Sequence, residues 1–297
     1  MAIAWTNISN GQVAAGASLT TALITALRDN PEGIAQRAAG APKILGTAYD
    51  YQEFTASGTW TKPSNAETGD RVIVQVVAGG GAGCMVGSTA AGKAGMGGGG
   101  LMFTFNEIDD LGATETVTVG AGGVATSGAG GSGGNSTFGT AGVGTGGTIG
   151  VFLRAIGGVG GLAAGTAVDN SYTTNGYVIH TLSGASRGLI QSAEKGAGMY
   201  GGWGGVANSN YYDGGNSNTG GGGGGFIRAS QGGGGNSNFA GRGGGGSATT
   251  GNITACHVDG EFPGGGGGAV LSTLTGATVG GEGADGVVRV WSIREGT

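Results

Sequence analysis

The stretch NTGGGGGGFIRASQGGGGNSNFAGRGGGG, residues 218–246, is built mostly from the one residue that has no side chain to bury. Glycine also loses the most conformational freedom on folding, roughly 0.5–1 kcal/mol beyond alanine at each site in a regular element. A fold that contains such runs must draw its order from the backbone itself. The alternative is disorder, which a large glycine and proline content without a strict period usually signals. Glycine and proline account for 81 of the 297 residues here, yet only 10% are charged and 38% are hydrophobic. Disordered chains show the opposite balance, so the sequence is one built to pack.

The glycine theme runs from about residue 79 to 286, as tracts separated by several ordinary residues, among them Gly220–Gly225, Gly232–Gly235 and Gly264–Gly268. Four prolines and the lack of a three-residue glycine register exclude a collagen helix. The calcium-binding roll pattern fails because its aspartates are missing. Chains in the polyproline-II conformation make no internal hydrogen bonds, so their amides must pair sideways. Where the contact faces carry only glycine, neighbouring chains come close enough to do so. The sequence therefore predicts a polyglycine-II-type lattice of several layers, with residues such as Met199, Trp203 and Arg242 pointing outward.

Flanking this interior are strand-like segments: YQEFTASGTWTKP, DRVIVQVVAG, TETVTVGAGG and, near the C-terminus, GVVRVWSIR. Strands near 47–78, 101–119 and 287–293 are expected to form a β platform, with Val287–Ile293 pairing with Arg71–Val77. The fold class is thus mainly β with a glycine-rich lattice, in one domain spanning 47–297. Residues 1–46 differ. Leu19, Leu23 and Leu27 recur at i, i+4 and i+8 after Ser18, which predicts a short amphipathic helix. The sequence Asp29-Asn30-Pro31 is expected to break it, with Asn30 capping a second helix that runs through Ile34 and Arg37. Helices this short are marginal alone, so packing on another subunit or a larger structure is expected.

Charge and motifs exclude several functions. With 13 basic and 18 acidic residues and no basic cluster, no nucleic-acid partner is expected. No apolar run is long enough for a membrane helix, and MAIAWTNISNGQ does not read as a signal peptide. Cys84 and Cys256 are expected to be two buried thiols rather than a bridge, and with His180 and His257 they lack zinc-ligand spacing. RVIVQVVAGGGAG imitates a dinucleotide turn, but Cys84 stands where the third glycine belongs. GSTAAGKA imitates a phosphate loop, but Ala94 replaces the magnesium-binding hydroxyl. No cofactor is expected. A glycosidase would need two suitably spaced carboxylates, whereas Asp169, Glu194, Asp213, Asp259 and Glu261 stand singly. Asn106–Asp110 reads as a polar turn.

The interruptions VANSNYYDGGNSNTG and GGNSNFAGR set amides beside aromatic rings: Asn208, Asn210, Tyr211, Tyr212, Asn236, Asn238 and Phe239. That mixture suits binding of sugars or protein loops. The other reading is that Asn and Ser only form turns while the aromatics cap the lattice. If Gly214–Gly225 forms one long chain, the loops 206–213 and 236–240 share one end of the lattice, and 226–231 and 247–263 the other.

The opening WTNISNGQVAAGASLTTALITALRDNPEGIAQRAAGAPKI is similar to N-terminal segments of phage and prophage tail proteins. The remainder, with FTASGTWTKP, VIVQVVAGGGAG and GADGVVRVW, resembles the glycine-rich domain of tailed-bacteriophage tail fibres and receptor-binding proteins. The resemblance implies a non-enzymatic adhesin of the virion tail, assembled in the host cytoplasm as a homotrimer. Its implied partners are a host-surface glycan or outer-membrane protein and, through residues 1–46, other tail proteins. Trp5, Leu19, Leu23, Leu27 and Ile34 are then the attachment residues. A structural fibre or capsid-decorating appendage and a polysaccharide depolymerase are the alternatives.

Overall fold

Residues 7–9, 20–35, 48–86, 94–139, 152–161, 180–182, 213–225, 233–246, 259–271 and 279–294 are described by a computed structural model. Among them, the strands in chain order are β1 (Ala48–Phe54), β2 (Gly58–Thr61), β3 (Arg71–Val77), β4 (Met85–Val86), β5 (Gly100–Phe105), β6 (Thr114–Thr118), β7 (Ser136–Gly139), β8 (Phe152–Ala155), β9 (His180–Leu182), β10 (Val270–Leu271) and β11 (Val287–Ile293). Four of them form an antiparallel sheet in the order β1-β11-β3-β5. The expected pairing of Val287–Ile293 with Arg71–Val77 is present along their full length, Val287 opposite Val77 and Ile293 opposite Arg71. A second sheet runs β2-β6-β7-β8-β9, with only its last pair parallel. The two-residue strands β4 and β10 pair with each other in parallel.

The valine alternation of β3 fixes which face is covered. Val72, Val74 and Val76 point into a core with Val288 and Val290 of β11, and meet Trp60, Val117, Phe138 and Leu153 of the second sheet. Each such side chain contributes about 1.5–3 kcal/mol by leaving water. Trp60 and Phe138 meet edge to face with ring centroids 5.8 Å apart, a favoured aromatic geometry. The polar turn expected at 106–110 is a short 3-10 turn, Ile108–Asp110, whose Ile108 is buried in this core.

At one end of the sandwich the side chains stop while the strands continue. Residues 78–84 follow β3, 94–99 lead into β5, 279–286 lead into β11, 119–124 follow β6, 129–135 lead into β7 and 156–161 follow β8. Here the runs from the two sheets bond to each other directly. The N–H groups of Gly79 and Ala82 donate to the carbonyls of Gly134 and Gly131, those of Gly80 and Gly83 to Ala284 and Gly281, and that of Gly81 to Met96. The carbonyls turn in the same rhythm. Those of Gly79 and Ala82 accept from Gly158 and Gly161, that of Gly80 from Gly123, and those of Gly81 and Cys84 from Gly267 and Val270. Every third residue thus faces the same neighbour, and this run is surrounded by six others.

Further runs extend the array beyond the four-stranded sheet. Gly266 and Ala269 donate to Gly222 and Gly225, while Gly222 and Gly225 donate to Gly241 and Gly244, again three residues apart. Such approach leaves no room for a side chain: a Cβ at Gly80 would lie 2.0 Å from the Gly265 oxygen, and one at Gly222 would lie 2.1 Å from that of Gly235. Gly264, at φ +75°, also holds a backbone conformation that other residues resist. β7, β8 and β9 lie within the stretch the sequence assigns wholly to glycine tracts, so the sandwich is larger than expected.

The N-terminal region holds one described helix, α1 (Thr21–Ala35), not two. It passes through Pro31 without a break. Proline's fixed φ is close to the helical value, and this one sits near the helix end, so the chain continues at the expense of one missing N–H bond. Asn30 is therefore inside the helix and buried, not a cap. The observed cap is Thr20, whose Oγ1 accepts from the Leu23 N–H at 3.2 Å. Ser18 lies outside the described residues. No described helix is long and apolar enough to cross a membrane.

Candidate recognition surface

Two turns of nearly the same sequence carry the described part of the predicted site. Gly214-Gly215-Asn216-Ser217-Asn218 and Gly234-Gly235-Asn236-Ser237-Asn238 are 20 positions apart. Each serine fastens its own turn: Ser217 Oγ accepts from Gly220 N–H and Ser237 Oγ from Ala240 N–H, both at 3.0 Å. The turns then stack in register. Asn236 N–H donates to Asn216 Oδ1, and Asn238 Nδ2 donates to Asn218 Oδ1, both at 2.8 Å, with Ser217 and Ser237 joined by a parallel bridge. The exposed edge of this stack presents Asn216, Asn218, Asn236, Asn238 and Phe239, a residue 51% exposed.

Of the sequence-predicted residues, the structure brings Asn236, Asn238 and Phe239 together on that edge. Asn208, Asn210, Tyr211 and Tyr212 lie outside the described residues. The expected single run through Gly214–Gly225 is not formed, because Ser217 closes a reversal at Gly220. Gly223 N–H consequently bonds back to Gly215. Asp213, which accepts from Gly233 N–H at 2.8 Å, is therefore at the opposite end of these short runs from Phe239. Asn216 and Asn218 were not predicted, and the 20-residue recurrence of Gly-Gly-Asn-Ser-Asn is the signal that marks them.

Phe239 ties this edge to the outer face of the four-stranded sheet. Its carbonyl accepts from Gln75 Nε2 at 3.0 Å, and the Gln75 oxygen accepts from Arg289 at 3.3 Å. Arg289 Nε and the Tyr51 hydroxyl both donate to Glu53 Oε2 at 2.7 Å. The Arg289 bond, followed by that from Tyr51, holds the Glu53 carboxyl below its usual pKa. Partial burial and the bond to Glu53 raise that of Tyr51. Glu53 is thus an ionised acceptor whose charge the guanidinium balances.

The described carboxylates first weighed for catalysis are engaged with the backbone. Asp213 Oδ1 takes the Gly233 N–H and Asp259 Oδ1 the Glu282 N–H at 2.8 Å, and Asp285 Oδ1 does the same for Gly122 at 2.7 Å. Each satisfies an amide left over at the rim of the array. Glu261 is exposed and takes part through its main chain. Asp169 and Glu194 lie outside the described residues, as do Cys256, His257 and residues 87–93 of the phosphate-loop lookalike. Cys84 is buried. Among the described residues no three His, Cys, Asp or Glu side chains gather where a metal ion could be held.

Of the expected attachment residues, Leu23 is buried and Leu27 is 56% exposed, so they do not form one covered stripe. The covered face of α1 is instead Leu23, Ala26 and Asn30, also a helical spacing, while Ile24 and Leu27 face outward. Ile34 lies in α1, and Trp5 and Leu19 lie outside the described residues. A family model described as a glycine-rich domain matches residues 53–291. No curated protein matches the chain.

Proposed function

Because the chain belongs to the glycine-rich domain family, we propose that it is a tailed-phage tail-fibre adhesin in which a backbone-bonded scaffold displays receptor-binding loops. The observation that carries the reading is the stacked pair of Asn-Ser-Asn turns. They are braced by serines from within and by each other, and present amides and the Phe239 ring outward. Rigid presentation of amide and aromatic groups lowers the entropy lost on binding. Tyr211 and Tyr212, which precede Asp213 in the sequence, would add the same chemistry. Residues 1–46 attach the protein to other tail proteins, and the exposed Ile24 and Leu27 of α1 offer an apolar contact for this.

The scaffold is a polyglycine-II lattice in this reading. Its support is the three-residue alternation of hydrogen-bond partners, together with contacts so close that a Cβ at most array glycines would overlap a carbonyl. A homotrimer on the virion tail would present several copies of the loops, so weak contacts with a host glycan or outer-membrane protein add up. Changing Tyr211 and Tyr212 together to Ala should abolish adsorption to host cells while the assembly stays intact. Unchanged adsorption removes that loop from the site. The second reading is a stiff structural appendage, favoured by the asparagine side chains being bonded to each other. Purified protein that fails to bind host cells selects this reading.

A further inference from the structure

The outward face of the four-stranded sheet carries two cross-strand rows that the core does not use. Strand register aligns Tyr51, Trp291, Ile73 and Thr104 in one and Glu53, Arg289, Gln75 and Met102 in the other. The first row is flat and apolar at its start: Tyr51 and Trp291 lie with centroids 5.4 Å apart, and Tyr51 is 49% exposed. The second is the polar chain that ends at the Phe239 carbonyl. Four strands spaced about 4.8 Å apart make each row about 14 Å long, with the rows about 7 Å apart; Gln75 is buried where it meets the Phe239 carbonyl, so the second row is open at Glu53, Arg289 and Met102. Met102 and Phe239 are exposed at the far side.

From these rows we infer that the face is a binding site for a short neutral oligosaccharide, distinct from the Asn-rich loops and independent of the tail-fibre reading. Aromatic faces beside fixed hydrogen-bonding groups suit a ligand with apolar C–H faces and a rim of hydroxyls. Both bonds to Glu53 end on Oε2, which leaves Oε1 to accept from a ligand hydroxyl, and Arg289 remains a donor at the row's centre. The Glu53 and Arg289 charges balance within the second row, and Arg71 adds a cation at the β3 end of the same face. Strands β3 and β11 are each paired on both sides, so an extended peptide finds no backbone edge there.

The test uses the full chain and hexamers of glucose, galactose and N-acetylglucosamine, titrated by calorimetry and by saturation-transfer NMR. At least one should bind with Kd of about 1 mM or tighter, and Tyr51→Ala should weaken it about tenfold or more, the loss expected on removing an aromatic anchor. Glu53→Gln, which keeps the shape and removes the balanced charge, should weaken it less, and Tyr211→Ala with Tyr212→Ala should leave it unchanged. Tyr51 is half-exposed on an edge strand, so an unaltered melting midpoint is expected for Tyr51→Ala. Three results overturn the inference: no hexamer binding, binding by Tyr51→Ala equal to wild type, or a change of oligomeric state in Tyr51→Ala. The last would make the face a contact between copies.

Discussion

The sandwich and the glycine array are two solutions to the same problem, how to exclude water from between two layers of chain. In the sandwich, the gap is filled by side chains, with Trp60, Phe138, Leu153 and the valines of β3 and β11 fully buried. In the array the layers close until main chains touch, and the amides that would otherwise be buried unpaired bond to each other. The first core tolerates some reshaping because side chains can repack. In the second, the interacting atoms belong to the backbone, which cannot choose another rotamer. A side chain stabilises one region and excludes the fold of the other, although the same strands run through both.

That contrast is open to direct attack through guanidinium unfolding at fixed protein concentration. The largest effect is expected where one methyl group is added to the array. Gly80→Ala places a Cβ 2.0 Å from the Gly265 oxygen. It should destabilise by more than about 3 kcal/mol, the upper end for overpacking. Gly128→Ala is its control, because nothing lies within 4 Å of the added atom. It should be neutral or gain about 0.4–1 kcal/mol from a stiffer unfolded chain. Equal behaviour of the two variants would show that the array is not closely packed. Next, Phe138→Ala in the sandwich should cost about 3–5 kcal/mol by leaving a cavity. A smaller loss would mean that this core contributes less than the array does. The smallest effect is expected at the rim. Asp285→Ala frees the half-buried Gly122 N–H at the rim of the array and should cost about 0.5–1 kcal/mol.

Much of the first region was legible in the residue pattern. The valines of Arg71–Val77 and Val287–Ile293 have the period and β-branching of strands, and both the strands and their mutual pairing are present. β7 and β8 were not legible, because Ser136–Gly139 and Phe152–Ala155 are only four residues long and are embedded in glycine. Too few side chains alternate there to set a period. The helix crossing Pro31 escaped for a different reason: local propensity favours a boundary at a proline, yet its fixed φ fits a helix and costs one N–H bond near the helix end.

The candidate edge was half legible. Amides beside aromatics marked Asn236, Asn238 and Phe239. Their partners Asn216 and Asn218 depend on a reversal closed by the Ser217 hydroxyl, which only the 20-residue recurrence of Gly-Gly-Asn-Ser-Asn could have signalled. The sheet face was hidden altogether. Tyr51, Glu53, Gln75, Trp291 and Arg289 come from three strands far apart in the chain, and their alignment exists only once register is set.

The three-residue alternation of hydrogen-bond partners along the described runs works like a reading frame. Adding or deleting three residues inside Gly264–Gly268 returns every later N–H to its former neighbour. A change of one or two residues turns all of them by a third of a revolution, away from Gly222 and Gly81 and toward the wrong chains. Length variation among proteins built this way should therefore gather in the loops outside the runs, where no phase is kept. Loops could be exchanged wholesale there while the scaffold's grammar is preserved.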